Sequence, residues 1–139
     1  MLIKGDFHMH STCSDGNLSP AELVRYAKKR KVDIIALTDH NSCDGLYEAI
    51  SEGKRSGIVV IPAVELSTKY KENRVHILGY FKDIPDKKLI DYFKINEEKR
   101  LNRCLKIIDN LEKYYGIKID YEDVKKRADG LIARPHIAE

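Results

Sequence analysis

Two near-continuous apolar runs, Val32-Asp33-Ile34-Ile35-Ala36-Leu37-Thr38 and Ile58-Val59-Val60-Ile61-Pro62-Ala63-Val64, constrain the fold of this chain more than any other feature. Runs of this kind lack polar alternation, which marks strands buried on both faces of a parallel sheet. A helix is expected before the first run. Ser19-Pro20-Ala21-Glu22 puts Ser at the N-cap, Pro at the first helical position and Glu three residues after the cap, which is a capping box. Leu23, Val24 and Ala27 supply an apolar face, and the basic residues 28–31 sit favourably against the helix dipole. A second helix is expected from Asp44 to about Arg55, stopped by Gly57. With a short first strand from Leu2 to His8, the order strand, helix, strand, helix, strand is the βαβ signature of an α/β fold with right-handed crossovers.

Asn73 to Phe81 reads as a fourth strand, with a hairpin turn expected within Thr68 to Glu72. Beyond Pro85 the chain becomes highly charged. Leu89, Ile90, Phe93, Leu101, Leu105, Ile108 and Leu111 fit one long amphipathic helix over Asp86 to Tyr115, with room for one break. Gly116 ends it, and Asp120-Tyr121-Glu122-Asp123 caps a shorter helix reaching about Ala128. A further helix is expected to start around Arg134-Pro135-His136.

With 139 residues the chain forms one domain at most. A net charge of +3 is too small to bind nucleic acid or membrane by bulk electrostatics. No apolar run approaches a membrane span, and no signal layout opens the chain. Cys13, Cys43 and Cys104 form no CxxC pair, so free thiols and a reducing cytoplasm are expected.

Of the five histidines, His8, His10, His40 and His76 fall at or near the ends of expected strands. Ligands collect at the carboxyl ends of strands in α/β folds. His8, His40 and Glu65 all occupy such ends, so chain order alone groups them. His8 and His10 are two apart, and on a regular strand both imidazoles face one side. Taken alone, an HxH pair is equally compatible with polar core histidines. Asp15, in Ser14-Asp15-Gly16, reads first as a turn residue. A carboxylate ending a buried strand, as Glu65 does, is costly unless it meets a cation or donors. Imidazole plus carboxylate without clustered cysteine suits a catalytic Zn, Mn or Fe site. Six candidate ligands, His8, His10, Asp15, His40, Glu65 and His76, exceed one tetrahedral ion, so two or three divalent ions are expected, with Glu65 as the bridge. A surplus of positive charge there favours an anionic substrate such as a phosphate ester. Asp6 and Asp39 precede ligand histidines and are read as catalytic auxiliaries that orient rings or water. Arg134 is a candidate phosphate contact, and His136 a substrate contact, proton donor or ligand. Cys13 and Cys43 lie in the same loops, but nothing requires a thiolate ligand.

The segments Asp6-Phe7-His8-Met9-His10-Ser11, Ser14-Asp15-Gly16, Ile35-Ala36-Leu37-Thr38-Asp39-His40-Asn41, Pro62-Ala63-Val64-Glu65-Leu66-Ser67 and Val75-His76-Ile77-Leu78-Gly79-Tyr80 together resemble the PHP (polymerase and histidinol phosphatase) family. The later Arg134-Pro135-His136-Ile137-Ala138 resembles a segment of its stand-alone members. The resemblance implies the N-terminal part of a distorted (β/α)7 TIM-like barrel over residues 1–84, with a helical insertion after the fourth strand over residues 85–139. It implies metal-dependent hydrolysis of nucleoside 3′,5′-bisphosphates or of the 5′ end of short RNA. Histidinol-phosphate hydrolysis and a non-catalytic metal-binding module are the alternatives. On this resemblance His8, His10 and Glu65 hold one metal, Glu65 bridges to a second that also uses His76, and Asp15 with His40 holds a third. About four of seven strands are present and the family's downstream ligands are not. A truncated chain, a missing half from another chain, or association through the open sheet edge is therefore expected.

Overall fold

The computed structural model of the chain describes residues 2–128 and residue 137. Eight elements follow in order: β1 (Gly5–Met9), α1 (Pro20–Lys29), β2 (Ile34–Leu37), α2 (Leu46–Ser56), β3 (Val59–Tyr70), β4 (Asn73–Tyr80), α3 (Lys87–Tyr115) and α4 (Tyr121–Ala128). One four-stranded sheet runs β1-β2-β3-β4. The first three strands are parallel, while β4 returns antiparallel to β3. The expected (β/α)7-like start is therefore a curled half-barrel whose fourth strand closes as a hairpin.

The curl can be argued from one bond. Strands lie about 4.8 Å apart, so a flat sheet would hold β1 and β4 roughly 14 Å from each other. Yet the Tyr80 hydroxyl on β4 donates to the Phe7 carbonyl on β1 at 2.8 Å. The tyrosine side chain spans part of that gap and curvature of the sheet the rest, while β1 and β4 stay unpaired outer strands. Curvature also turns the carboxyl ends of β1, β2 and β3 toward one centre.

Pairing of β1 with β2 begins at Gly5↔Ile34. The first strand thus starts later than the expected Leu2, which is 97% exposed. Asp33 accepts the Lys4 amide at 2.9 Å and so marks where pairing starts. Between the pairs Asp6↔Ile35 and Met9↔Leu37, three residue steps on β1 face two on β2, which is a one-residue bulge. Bulges re-aim side chains, and this one lies beside His8.

α1 carries the expected capping box, with Ser19 and Glu22 bonded reciprocally. α2 begins two residues later than expected, at Leu46, with no side-chain cap on Gly45, and ends at Gly57 in the left-handed region (φ 69°). The two helices cover one face of β2 and β3. Leu23, Val24, Ala27, Leu46 and Ala49 pack there with Ile35, Leu37, Val64 and Phe93. α3 runs unbroken for 29 residues, because residues 87–115 contain neither Pro nor Gly. A smaller cluster of Cys104, Ile108, Val124 and Ile137 joins α3 to α4. Among the described residues no helix is long and apolar enough to cross a membrane.

Candidate metal centre

Each ligand candidate is placed by the backbone at a strand end. Glu65 lies on β3 where the strand passes β2. Its amide donates to the Asp39 carbonyl at 3.2 Å and its carbonyl accepts from the Asn41 amide at 3.0 Å, so residues 39–41 and 65 form an extra bridge beyond β2. His40 is thereby fixed next to Glu65. The hairpin register pairs Glu65 with Leu78 and Ser67 with His76. Residues two apart on a strand share a face, so His76 leans over Glu65.

The result is a buried carboxylate facing four imidazoles. His8 Nε2 lies 2.9 Å and His10 Nε2 3.1 Å from Glu65 Oε2, with His40 Nδ1 at 3.6 Å, while His76 Nδ1 is 2.7 Å from Oε1. The rings stand side by side, with centroids 5.1 Å (His8–His10), 4.8 Å (His10–His40) and 5.0 Å (His40–His76) apart. Asp15 approaches from the other side, 3.4 Å from His10 Nδ1 and 3.6 Å from His40 Nε2. All six residues expected from the sequence therefore meet. Among the described residues, no Lys or Arg forms an ion pair with Glu65 or Asp15.

Burial pushes the Glu65 carboxyl up, but hydrogen bonds from His8 and His76 and the charges of His40 and His8 outweigh it, and the net shift is downward. The carboxylate thus stays ionised. His40 moves the other way: burial, aided by His10 and His76, lowers it despite Glu65 and Asp15. A neutral His40 keeps one ring nitrogen with a free lone pair. Its Nδ1 is buried and finds no hydrogen-bond partner in the protein. An unpaired buried polar atom costs about 1–3 kcal/mol, and a metal ion is a partner that would recover this.

Three ligand triads have donor atoms within 4.8 Å of one another: His8–His10–Glu65, His10–Asp15–His40 and His40–Glu65–His76. A neutral imidazole has one lone pair, so His10 and His40 can each serve only one of the two triads they share. Glu65, with two oxygens, can bridge. The donor set fits divalent metal.

The family model for the PHP domain matches residues 6–134. The chain belongs to the PHP domain family. It is 40% identical to a 5′-3′ exoribonuclease of Haemophilus influenzae, over 99% of this chain and 50% of that protein. It is 35% identical to a 3′,5′-nucleoside bisphosphate phosphatase of Chromobacterium violaceum, over 96% of this chain and 47% of that protein. The solved structure of a Chromobacterium violaceum amidohydrolase with bound sulfate and no metal superposes with a TM-score of 0.85 at 34% identity, covering 97% of this chain and 48% of that one. This PHP domain therefore spans about half the length of the relatives it matches.

Asp39 and Asp6 sit behind the ligands and touch no ligand ring directly. Both Asp39 oxygens are taken inside the protein, by the Ser11 amide (2.7 Å), the Ser11 hydroxyl (2.6 Å) and the Ser14 hydroxyl (2.7 Å). Asp39 reaches the imidazoles only through Ser14, whose Oγ lies 3.4 Å from His10 Nδ1. Asp6 accepts the His8 amide at 3.2 Å and touches no ligand ring. Ser11 and Ser14 escaped the sequence reading, since loop serines carry no spacing signal. Arg100 on α3, whose charge faces Asp15, also escaped it. Arg134 and His136 lie outside the described residues. Neither Cys13 nor Cys43 joins a ligand triad, and burial raises both thiols, Cys43 up to about 12.

Gly16 closes the loop that bears Asp15. A Cβ there would lie 2.2 Å from the His10 carbonyl oxygen and 2.5 Å from its carbon, both backbone atoms. Gly16→Ala must push the Asp15 loop off His10. The expected loss is about 1–3 kcal/mol of stability, with weaker metal retention, read by thermal unfolding and metal analysis of the same preparation.

Proposed function

We propose that this PHP domain supplies the metal-binding half of a phosphoesterase site that hydrolyses nucleotide or RNA-end phosphates. The observation that carries this reading is Glu65, a buried carboxylate ringed by four imidazoles with no Lys or Arg to pair it among the described residues. Divalent ions held there would polarise a phosphoryl oxygen and activate an attacking water. In this reading His8, His10 and Glu65 hold one ion, Glu65 bridges to a second with His76, and Asp15 with His40 serves a third, with Mn, Zn or Fe as the metal. Ser14 and Asp39 keep His10 and the Asp15 loop in place, and Asp6 holds the His8 backbone. Arg134 and His136 carry phosphate contact and proton donation. The names of the relatives, a nucleoside bisphosphate phosphatase and a 5′-3′ exoribonuclease, support the substrate class.

Residues 1–84 are the ligand-bearing barrel segment of this reading and residues 85–139 its helical insertion. The free thiols Cys13, Cys43 and Cys104 fit a reducing cytoplasm. Barrel closure requires a further strand on β1, from additional chain or a second copy, since an open edge invites pairing.

Metal analysis joined to a phosphatase panel tests the reading. Phosphate release from a nucleoside 3′,5′-bisphosphate or a 5′-phosphorylated short RNA, above that from histidinol phosphate, is the expected result. Metal retention with no turnover on any phosphoester would instead identify a binding module. Metal at a hundred times its Kd is expected to add about 2.7 kcal/mol of stability, raising Tm by roughly 10 °C. A chelator should reverse the shift. A Tm indifferent to Mn, Zn and Fe would remove the metal assignment.

A further inference from the structure

The loops that carry Asp15 and His40 leave a cavity of about 270 Å³ between themselves and α3. Thr12 lines it from the β1–α1 loop, Asn41, Ser42 and Asp44 from the β2–α2 loop, and Glu97 and Arg100 from α3. Thr12 lies between His10 and Asp15 in the chain, and Asn41 follows His40, so the cavity adjoins the His10–Asp15–His40 triad. Its charge disfavours a second phosphate there. Asp44 and Glu97 are both carboxylates and face a single guanidinium, so an anion would meet more repulsion than attraction. None of these three side chains forms an ion pair among the described residues. Arg100 is half-buried, and loss of water pushes its guanidinium down against the pull of Asp15 and Glu97. Asn41 adds unused donors: its Oδ1 accepts the Ser67 amide at 3.0 Å, which leaves the amide N–H groups available. The cavity thus offers unpaired donors and unpaired acceptors side by side, which calls for a ligand that carries both.

We propose that this cavity is a nucleobase subsite that selects guanine, with Arg100 donating to N7 and O6 of the ring and Glu97 accepting from its N1–H and N2 amino group. The proposal rests on the phosphoesterase reading only for what brings a nucleoside beside the metal centre. Guanine carries two acceptors and then two donors along one continuous edge. Glu97 and Arg100 are three residues apart, about 4.5 Å along the helix axis, and side chains at that spacing are neighbours. A guanidinium and a carboxylate standing side by side match the two halves of that edge, each through a bidentate pair. Adenine puts a donor beside N7 where Arg100 needs an acceptor. Cytosine and uracil lack the N7 half of the edge altogether. The volume, just under the roughly 300–1,000 Å³ of small-ligand pockets, suits one nucleoside and no longer chain. Thr12 and Ser42 supply hydroxyls for the ribose.

The test is competition binding of the four nucleoside 3′,5′-bisphosphates to the 139-residue chain, with chelator present so that no turnover occurs. The guanosine compound should bind about 10-fold tighter than each of the others. Glu97→Gln keeps the size and removes the bidentate acceptor, so the preference should fall to about twofold or less. Glu98→Gln makes the same charge change one residue outside the cavity and should leave the preference intact. Arg100 is tested through the ligand: 7-deazaguanosine 3′,5′-bisphosphate, which lacks N7, should bind the parent about 5-fold more weakly than the guanosine compound. In Arg100→Ala the two should bind equally. Free guanosine, with no phosphate, should keep its advantage over adenosine. Equal affinity for all four bases, or a guanine preference that Glu97→Gln and Glu98→Gln leave alike, would overturn the proposal. Phosphate release from the bisphosphates with no base preference in binding sinks the base subsite alone. Guanine-selective binding without turnover on any phosphoester sinks the catalytic reading alone.

Discussion

Glu65→Gln is expected to strip the domain of metal and to reduce phosphoesterase turnover by roughly a thousandfold or more. The side chain keeps its size, so packing is preserved and the change is one of charge and ligand number. Glu65 belongs to two of the three ligand triads. It is the one carboxylate shared by two triads, and so can give an oxygen to each of two ions. An amide offers one neutral oxygen, and its nitrogen would face imidazoles at 2.7–3.1 Å that are disposed to donate to a carboxylate. Changes to groups that merely support ligands cost about 10–100-fold in metal affinity, and loss of a bridging charge should exceed that. Inductively coupled plasma analysis after dialysis, with turnover on a nucleoside bisphosphate, reads both effects. If Glu65→Gln retained full metal content, the four imidazoles would have to be explained as a hydrogen-bonded core cluster. His8→Ala provides a graded comparison, because His8 belongs to one triad and its side chain is half exposed.

Much of this centre was legible because strand ends are legible. An apolar run followed by His40, and another followed by Glu65, place both residues at one end of a parallel sheet before any coordinate is known. His76 was harder. Its position depends on hairpin register, and that depends on where the turn falls. The sequence allowed a turn anywhere within residues 68–72, whereas β3 continues to Tyr70 and turns tightly at Lys71 and Glu72, with Lys71 at a φ of 52°. A register shifted by one would put His76 on the opposite face. The roles of Asp39, Ser11 and Ser14 were not legible, because a loop folded around one carboxylate has no periodicity.

Asp39→Ala is expected to lower stability by about 3–5 kcal/mol and Tm by roughly 15 °C, a larger effect than removal of any single imidazole. Asp39 is buried along with Ser11 and Ser14. Alanine would leave the Ser11 amide and hydroxyl without acceptors, and the Ser14 hydroxyl with only its longer bonds to Asp15 Oδ1 (3.3 Å) and His10 Nδ1 (3.4 Å). Each orphaned donor costs about 1–3 kcal/mol. The consequence reaches the metal centre through a short chain of bonds. The Ser11 carbonyl accepts the Ser14 and Gly16 amides at 3.0 and 2.9 Å, so the turn that presents Asp15 is wound around the residue Asp39 holds. Asp39→Asn separates acceptor chemistry from volume. Its amide nitrogen must face a donor, so it should also destabilise, by about half as much as alanine. A group that moves a proton and a group that positions ligands then differ in a measurable way. If Asp39 only positions, turnover of the asparagine variant should recover at saturating metal while Tm stays low. Turnover that stays low with the metal sites filled would return Asp39 to the chemistry itself, and a Tm within about 2 °C of the parent would show that the serine network carries no load.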